Sequence, residues 1–448
     1  MLAERLIMSS GPNMAWYAGL SGRGMRLGLE DETELLERLG RPQDGIRMIH
    51  VAGTDGKGSV CAIMEAVLRE SGYSVGMFTS PEILRINECI RIGGLEIEDA
   101  DLEQILGVVR EQAEAMAAEG KPCTAFEVLT AAAILFFHTV SAEIAIMEVG
   151  MGGRLDSTNV IRPEVTVINN VGLEHTKFLG STIQEIASEK AGIMKPGVPC
   201  VTMNPDPVYD VIRRRAEEIG CPLRRVMADD IHVISMGAES VDMEYGGTVY
   251  SVELPGRHQA RNAILAVEGL SELSDYDERI SPNIHSGLES VMWPCRMQKL
   301  MADPIIVDVT HTVGGAACLR EDISEIYGDI VLVIGMLADK DTDGVMRELS
   351  PVCSKVFVTE PRSPRARPAE QTAEMVSKHH KVDGVFPELS DAMDAAMDSR
   401  GDSNILVTGS FRMAEGVLRW LAERSFRSLT FSRRSTWAER IRDATRRD

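Results

Sequence analysis

The sequence has little that would suit a nucleic-acid surface, a membrane or an oxidising compartment. Its 448 residues carry 47 Lys and Arg against 68 Asp and Glu, a formal net charge of −21. Most of such a molecule repels a phosphate backbone, which excludes nucleic-acid binding as its main activity, although a local positive pocket can still hold a small anion. No stretch reaches the roughly 18 uncharged apolar residues that a membrane helix needs. Arg5, Pro12 and Asn13 interrupt any apolar run at the start, so neither a signal peptide nor an anchor is expected. The eight cysteines (Cys61, Cys89, Cys123, Cys200, Cys221, Cys295, Cys318 and Cys353) form no C-x-x-C pair, and no His cluster stands at zinc spacing. They read as reduced, mostly buried thiols of a cytoplasmic protein.

What is present is the balance of a compact soluble chain, with 44% hydrophobic and 26% charged residues. The length implies two or three domains. Short apolar runs rich in β-branched residues alternate with longer segments of helical period, the pattern of βαβ units around a parallel sheet. Strands are expected at 46–51, 74–78, 143–149, 165–169 and 198–203, with helices at 59–71, 100–118, 126–139 and 182–194. The helix at 126–139 is apolar nearly all round and should be buried. Residues 204–255 read as the edge of the first domain, with a helix over 208–219 and short alternating segments around Gly246 and Gly247. A second series of strands is expected at 305–309, 330–335, 355–359 and 404–408. Trp293-Pro294 interrupts the pattern and marks the boundary. The expected division is therefore a domain over 1–294, a second over 295–425, and an Arg-rich tail over 426–448 that is either a helix or loose.

The first strand runs into Ala52-Gly53-Thr54-Asp55-Gly56-Lys57-Gly58-Ser59 and then at once into a helix. Glycines let the backbone amides turn toward one centre, the helix N-terminus adds positive potential, and Lys57 adds a full charge. This is a cradle for nucleotide phosphates, with the Ser59 hydroxyl in reach of phosphate or a metal ion. It is shorter than G-x-x-x-x-G-K-[ST], since no glycine lies five residues before Gly56.

The run His50 to Ser59, H-V-A-G-T-D-G-K-G-S, resembles the signature of folylpolyglutamate and dihydrofolate synthases, within the Mur ligase superfamily. The likeness extends upstream over Gly24-Met25-Arg26-Leu27-Gly28-Leu29-Glu30 and 35–44. Downstream it continues through Thr79-Ser80-Pro81, Arg85-Ile86-Asn87-Glu88 and Arg91, Phe126 to Thr130, Glu148 to Asn159, and Leu173-Glu174-His175 to Gly180. Glu189 to Pro196, His258-Gln259 with Asn262, Trp293 to Arg296, and Asp339-Lys340-Asp341 complete it, in order over roughly residues 20–415.

The resemblance implies an N-terminal P-loop ATPase domain with a mainly parallel sheet and a C-terminal Rossmann-like α/β domain. It also implies an ATP-dependent ligase that joins a folate- or pteroate-type carboxylate to L-glutamate through an acyl phosphate. Such chemistry needs magnesium and fixed cations around crowded phosphates. By resemblance, Gly53, Thr54, Asp55, Gly56, Lys57, Gly58 and Ser59 hold ATP, and Gln259 and Asn262 contact adenine or phosphate. Arg296 reaches the phosphates from across the interdomain cleft, and Asp308 the ribose. Ser80 and Glu148 ligate one magnesium ion, and Glu148 with His175 a second. Lys190 matches a lysine that the family carries carbamylated, which requires a neutral amine and so a lowered pKa. Ser80, Arg85 and Arg91 fall to the pterin side, Asp156 is a further substrate-binding residue, and His311 and Ser410 fall to the amino-acid side. The catalytic set is then Lys57, Glu148, His175 and Lys190. The expected partners are small molecules alone, with no nucleic acid and no membrane, and the expected state is a monomer whose domains close on ATP and acceptor.

Two departures stand out. Asp55 replaces the family's Asn and brings negative charge near the phosphates. Asp308-Val309-Thr310-His311-Thr312-Val313 keeps the acid and histidine of D-G-A-H-N-P but not its glycine, asparagine or proline. These keep open a ligase for a different pterin or a non-folate carboxylate, or a relative that binds nucleotide without catalysis.

Overall fold

The computed structural model describes residues 11–24, 26–273, 276–300 and 304–425. Met25 of the lead-in and the Arg-rich segment 426–448 lie outside the described residues. The chain divides into two compact units: residues up to His232 with Glu244–Ser251 and Arg261–Met292, and Val233–Met243 with Val252–Ala260 and Trp293 onward.

The first unit is built on an eight-stranded sheet. In chain order its strands are β1 (Arg47–Ala52), β2 (Val75–Phe78), β3 (Ile90–Ile92), β4 (Leu95–Glu96), β5 (Ile144–Glu148), β6 (Val165–Ile168), β7 (Cys200–Thr202) and β8 (Leu223–Arg225). Their spatial order is β4-β3-β2-β5-β1-β6-β7-β8. The pairs from β2 to β8 are parallel, and the two edge pairs, β2–β3 and β3–β4, are antiparallel. Strands covered on both faces should be continuously apolar rather than alternating, and β2, β5 and β6 are buried at every residue. Register places Val51 beside Glu148 and Ala52 beside Ile168. The carboxyl ends of β1, β5 and β6 therefore finish side by side, where open α/β sheets place their ligands.

The helix Ala125–Thr139 is buried at every residue from Glu127 to Ile134 and again at Phe136 and Phe137. It starts at a reciprocal cap. Thr124 Oγ1 accepts from the Glu127 amide at 3.2 Å, and Glu127 Oε2 accepts from the Thr124 amide at 2.6 Å. It lies so close to β2 that a Cβ on Gly76 would stand 2.7 Å from the Phe137 ring. Each large apolar side chain buried this way contributes about 1.5–3 kcal/mol.

Strands β9 (His232–Met236), β10 (Val241–Tyr245) and β11 (Thr248–Val252) form a three-stranded sheet. The second unit holds a six-stranded sheet of β12 (Gln298–Lys299), β13 (Ile305–Val307), β14 (Ile330–Ile334), β15 (Cys353–Thr359), β16 (Gly384–Phe386) and β17 (Asn404–Thr408). Its order is β12-β13-β17-β14-β15-β16, parallel except for β12. Helices alternate with its strands, giving a Rossmann-like layer structure.

Most expected elements form, with ends moved by a residue or two. Larger differences have local causes. The strand expected at 305–309 stops at Val307 because the Asp308 carboxylate turns the chain, accepting from the amides of Thr310 (2.7 Å) and Met297 (2.8 Å). The one expected at 198–203 begins only at Cys200, after a turn in which the Val198 amide reaches Lys195 O across Gly197, whose φ is +72°. All eight cysteines are free, and six of them are buried.

Candidate active site

The loop after β1 is clamped by main-chain and asparagine contacts. The Thr54 amide donates to Asn170 O (2.7 Å), and the Gly172 amide donates to Thr54 Oγ1 (2.9 Å). Asn170 Oδ1 accepts from the Asp55 amide (2.8 Å), while Asn169 Nδ2 donates to Asp55 O (3.0 Å) and to Asn262 Oδ1 (3.0 Å). Gly56, at φ +75°, starts the helix Lys57–Glu70. A Cβ there would stand 2.7 Å from Asn169 Nδ2 and 2.8 Å from Asn262 Oδ1, so both the conformation and the space demand glycine. That helix has no side-chain cap and no acid in its first turn. Its leading amides have no intrahelical acceptor and carry the positive end of the helix dipole. Ser59 Oγ is buried with no hydrogen-bond partner among the described residues.

Around this loop the structure gathers three of the expected side chains, Lys57, Glu148 and Lys190. Lys57 Nζ donates to Thr54 O at 3.1 Å and stands 3.9 Å from Glu148 Oε1. Glu148 ends β5 and is buried, and its Oε2 accepts from the Ser80 amide at 3.3 Å. Lys190 is buried and donates to Gly53 O at 2.6 Å. Burial, helped by the nearby Lys57 charge, brings its amine down to about 7, while Glu174, Asp55 and Asp156 pull the other way. His175 opens the short helix Thr176–Leu179 in a left-handed conformation at φ +51°, with Nε2 3.7 Å from Glu174 Oε1.

Among the described residues no three of His, Cys, Asp and Glu converge as a metal-binding group. That suits magnesium, which usually takes one or two protein oxygens and completes its octahedron with phosphate and water. Glu148, 3.9 Å from Lys57 Nζ, and Ser80, whose amide donates to Glu148, carry oxygens of the kind that fit.

The residues expected on the pterin side are held firmly by neighbours. Arg85 pairs with Glu96 (2.9 Å) and Asp99 (3.3 Å). The buried Arg91 donates through Nε to Glu88 O (3.1 Å). The Glu88 carboxylate in turn accepts the amides of Ile83, Leu84 and Arg85, wrapping the 81–88 segment around itself. Asp156 is buried, and burial raises its carboxyl against the opposing hydrogen bonds from Thr158 and from the amides of Met151 and Gly150.

In the second unit the residues converge at the carboxyl ends of β13 and β17. Arg296 lies 5.9 Å from the Trp293 ring centre and 5.6 Å from that of Phe411. It is presented by two non-glycine residues in the left-handed region, Cys295 (φ +57°) and Met297 (φ +46°). Such conformations cost about 1–3 kcal/mol each and cluster at functional sites. His311 Nδ1 donates to Val309 O at 2.8 Å, and its ring stands 6.1 Å from that of Phe411. Ser410 caps the helix Phe411–Ser425 by accepting from the Met413 amide at 3.2 Å. Gln259, on Arg257–Leu270, is fully buried. A cavity of about 640 Å³ lies apart from all these residues, along the helix Glu30–Arg38.

Residues 51–269 match the Mur ligase middle domain, and residues 295–411 match the Mur ligase glutamate ligase domain. A Bacillus subtilis protein described as dihydrofolate synthase/folylpolyglutamate synthase is 33% identical over 433 residues, covering 91% of this chain and 98% of its own. The chain belongs to the folylpolyglutamate synthase/dihydrofolate synthase family. Among solved structures, Mycobacterium tuberculosis folylpolyglutamate synthase complexed with ADP and AMPPCP is similar, with a TM-score of 0.83 at 28% identity over 94% of this chain and 99% of that one. A bifunctional folylpolyglutamate synthase/dihydrofolate synthase with Mn, AMPPNP and L-glutamate bound gives 0.79 at 30% identity over 92% and 98%.

Sequence reasoning missed the asparagines that brace the loop of this synthase-family chain. Asn169 and Asn170 follow β6 directly, and Asn204, after β7, donates to Asn169 O at 2.7 Å and accepts from the Val171 amide at 2.9 Å. The available signal was polar residues at the carboxyl ends of two neighbouring buried strands, where a ligand site is expected.

Proposed function

We propose that this chain is an ATP-dependent ligase that forms an amide between a folate- or pteroate-type carboxylate and L-glutamate, releasing ADP and phosphate. The observation that carries this reading is the meeting of Lys57, Glu148 and the buried Lys190 amine around an uncapped glycine-turned helix start. ATP lies along the loop 53–59, with Lys57 and the leading amides drawing charge off the γ-phosphate as the acceptor carboxylate attacks it. The resulting acyl phosphate is open to the amine of glutamate. Magnesium, when bound, neutralises phosphate charge, with Glu148 and Ser80 as its protein donors and His175 beside a second ion. Lys190 is carbamylated, since a buried amine brought down to about 7 is neutral in a large fraction of molecules and can take up carbon dioxide. Gln259, Asn262, Arg296 and Asp308 serve ATP. Arg85 and Arg91 serve the pterin side, Asp156 is a further substrate-binding residue, and His311 and Ser410 serve the glutamate side. The working division is 1–294 and 295–425, acting as a monomer in the cytoplasm.

The test is phosphate release from ATP with dihydropteroate or tetrahydrofolate plus L-glutamate, and mass spectrometry of the product. Release that needs both partners, a product heavier by one glutamyl residue, and a loss of at least about 100-fold in Lys57→Ala are expected. An unchanged rate in Lys57→Ala would refute the reading. The altered segment 308–313 favours one second reading, a different acceptor carboxylate. Release with neither folate acceptor but with another acid would select it.

A further inference from the structure

His50 lies on β1 beside Met147, the residue before Glu148, and is fully buried. Its Nε2 stands 2.8 Å from Thr158 Oγ1, and Thr158 Oγ1 donates to Asp156 Oδ1 at 2.5 Å. A hydroxyl has one proton to give. Because Thr158 gives it to Asp156, the proton between His50 and Thr158 belongs to His50 Nε2. The other ring nitrogen, Nδ1, is buried with no hydrogen-bond partner among the described residues, as a bare lone pair would be.

The chain of contacts continues past Asp156. Asp156 Oδ2 accepts from the Met151 amide at 2.8 Å, and Oδ1 accepts from the Thr158 amide at 3.1 Å. Met151 lies three residues after Glu148, so the carboxylate shapes the turn by which Glu148 leaves the sheet. The same 150–159 segment seats the end of the helix that bears Lys190. The Arg154 amide donates to Glu189 O at 2.8 Å, and Asn159 Nδ2 donates to Gly192 O at 3.1 Å. A Cβ on Gly153 would stand 2.8 Å from Glu189 O and 3.1 Å from Lys190 Cα.

We infer that His50 is a positioning residue. As a neutral donor it fixes Thr158 and Asp156, and through the 150–159 segment it sets where Glu148 and Lys190 stand relative to the phosphate loop. Burial leaves no room for the charged form, and the ring is pushed down to about 3, with Lys195 adding to the effect. Partners that orient groups beside a metal change metal affinity by about 10- to 100-fold when removed.

The first test is long-range nitrogen–proton NMR on the metal-free protein, which does not depend on the ligase reading. His50 should carry its proton on Nε2 and show no titration from about pH 5 to 9. A proton on Nδ1, or a titrating ring, overturns the inference. The second test rests on that reading and uses His50→Leu, His50→Gln and Thr158→Val. The magnesium concentration for half-maximal activity should rise about 10-fold in the Leu and Val variants, with His50→Gln, which keeps an N–H donor, near the parent value. A purely structural role would lower the melting temperature while leaving the magnesium requirement unchanged, and that result in a folded Thr158→Val protein also overturns the inference. Should His50→Leu not fold, Thr158→Val and the NMR tautomer decide the matter. Absence of ligase activity in the parent chain would count against the ligase reading alone, and the tautomer would still decide this one.

Discussion

Glu32 is the side chain whose removal should most clearly help the fold. It sits on the helix Glu30–Arg38, is fully buried, and neither carboxylate oxygen has a hydrogen-bond partner among the described residues. Burial, with the neighbouring Glu127 and Asp156 charges, pushes its carboxyl well above the usual carboxylate range. The folded protein therefore holds a neutral acid with an unsatisfied donor and acceptor, a burden of about 1–3 kcal/mol. Met is of similar length and flexible enough to fill the site without strain, so Glu32→Met should stabilise by about 1–2 kcal/mol near pH 5. The sign of the pH dependence follows from the raised folded value. Above the ordinary carboxylate range the unfolded chain has released this proton and the folded chain keeps it. Stability of the parent then falls with pH by about 1.4 kcal/mol per unit until the folded group also ionises. The gain in Glu32→Met should grow with pH at that slope, and Glu32→Gln, which cannot ionise, should show the same trend from a smaller starting gain. Urea denaturation at half-unit intervals between pH 5 and 8 measures it. A gain that stays flat with pH, or a destabilised Met variant at every pH, would refute the reasoning.

Lys190 should confer an acid-side loss of activity. Below about pH 7 its amine holds a proton, carbamylation is blocked, and activity should fall and become dependent on added bicarbonate. Carbon-13 NMR with labelled bicarbonate should show a carbamate resonance that is absent in Lys190→Ala. Gly56→Ala should weaken nucleotide binding by at least about tenfold, because a left-handed residue acquires a Cβ 2.7 Å from Asn169 Nδ2. Calorimetry with ADP measures this, and near-parent affinity would show that the loop can shift without loss.

The parts of the fold that could be read from sequence were those set by local rules. Strands β1, β5 and β6 are short buried runs ending at Ala52, Glu148 and Ile168, and hydrophobic period alone locates them. The helix Ala125–Thr139 was legible as buried because it lacks a polar face. What remained hidden depends on partners distant in sequence. Nothing near Asn169 or Asn170 announces that they grip a loop more than a hundred residues earlier, and nothing local to Glu32 signals a carboxyl without a partner among the described residues. The left-handed backbone at Cys295 and Met297 was equally invisible, since neither residue type favours it. It arises because Asp308, eleven residues on, holds the Met297 amide, and the Gln298 side chain holds that of Cys295 at 3.0 Å.

The two departures from the family pattern look different once the atoms are placed. In the phosphate loop, position 55 is held by main-chain contacts, its amide to Asn170 and its carbonyl to Asn169, which an exchange of Asn for Asp leaves in place while adding charge beside the loop. That charge is among those opposing the fall in the Lys190 pKa, so the exchange bears on the amine as well as on phosphate. In the 308–313 segment a glycine would be indispensable only where the backbone is left-handed, and Val309 is not among the residues of positive φ. Where the family has asparagine and proline at the helix start, Thr312 Oγ1 accepts from the Gly315 amide at 3.0 Å and caps Val313–Ile326. Thr310 O closes the same turn by accepting from the Gly409 amide at 3.0 Å and Thr408 Oγ1 at 3.1 Å. In this chain the hydrogen-bonded turn that carries Asp308 and His311 is held by threonines. These hydroxyls and the Thr310 carbonyl hold the turn without the glycine, asparagine or proline, so the altered letters by themselves are no argument that the turn has collapsed.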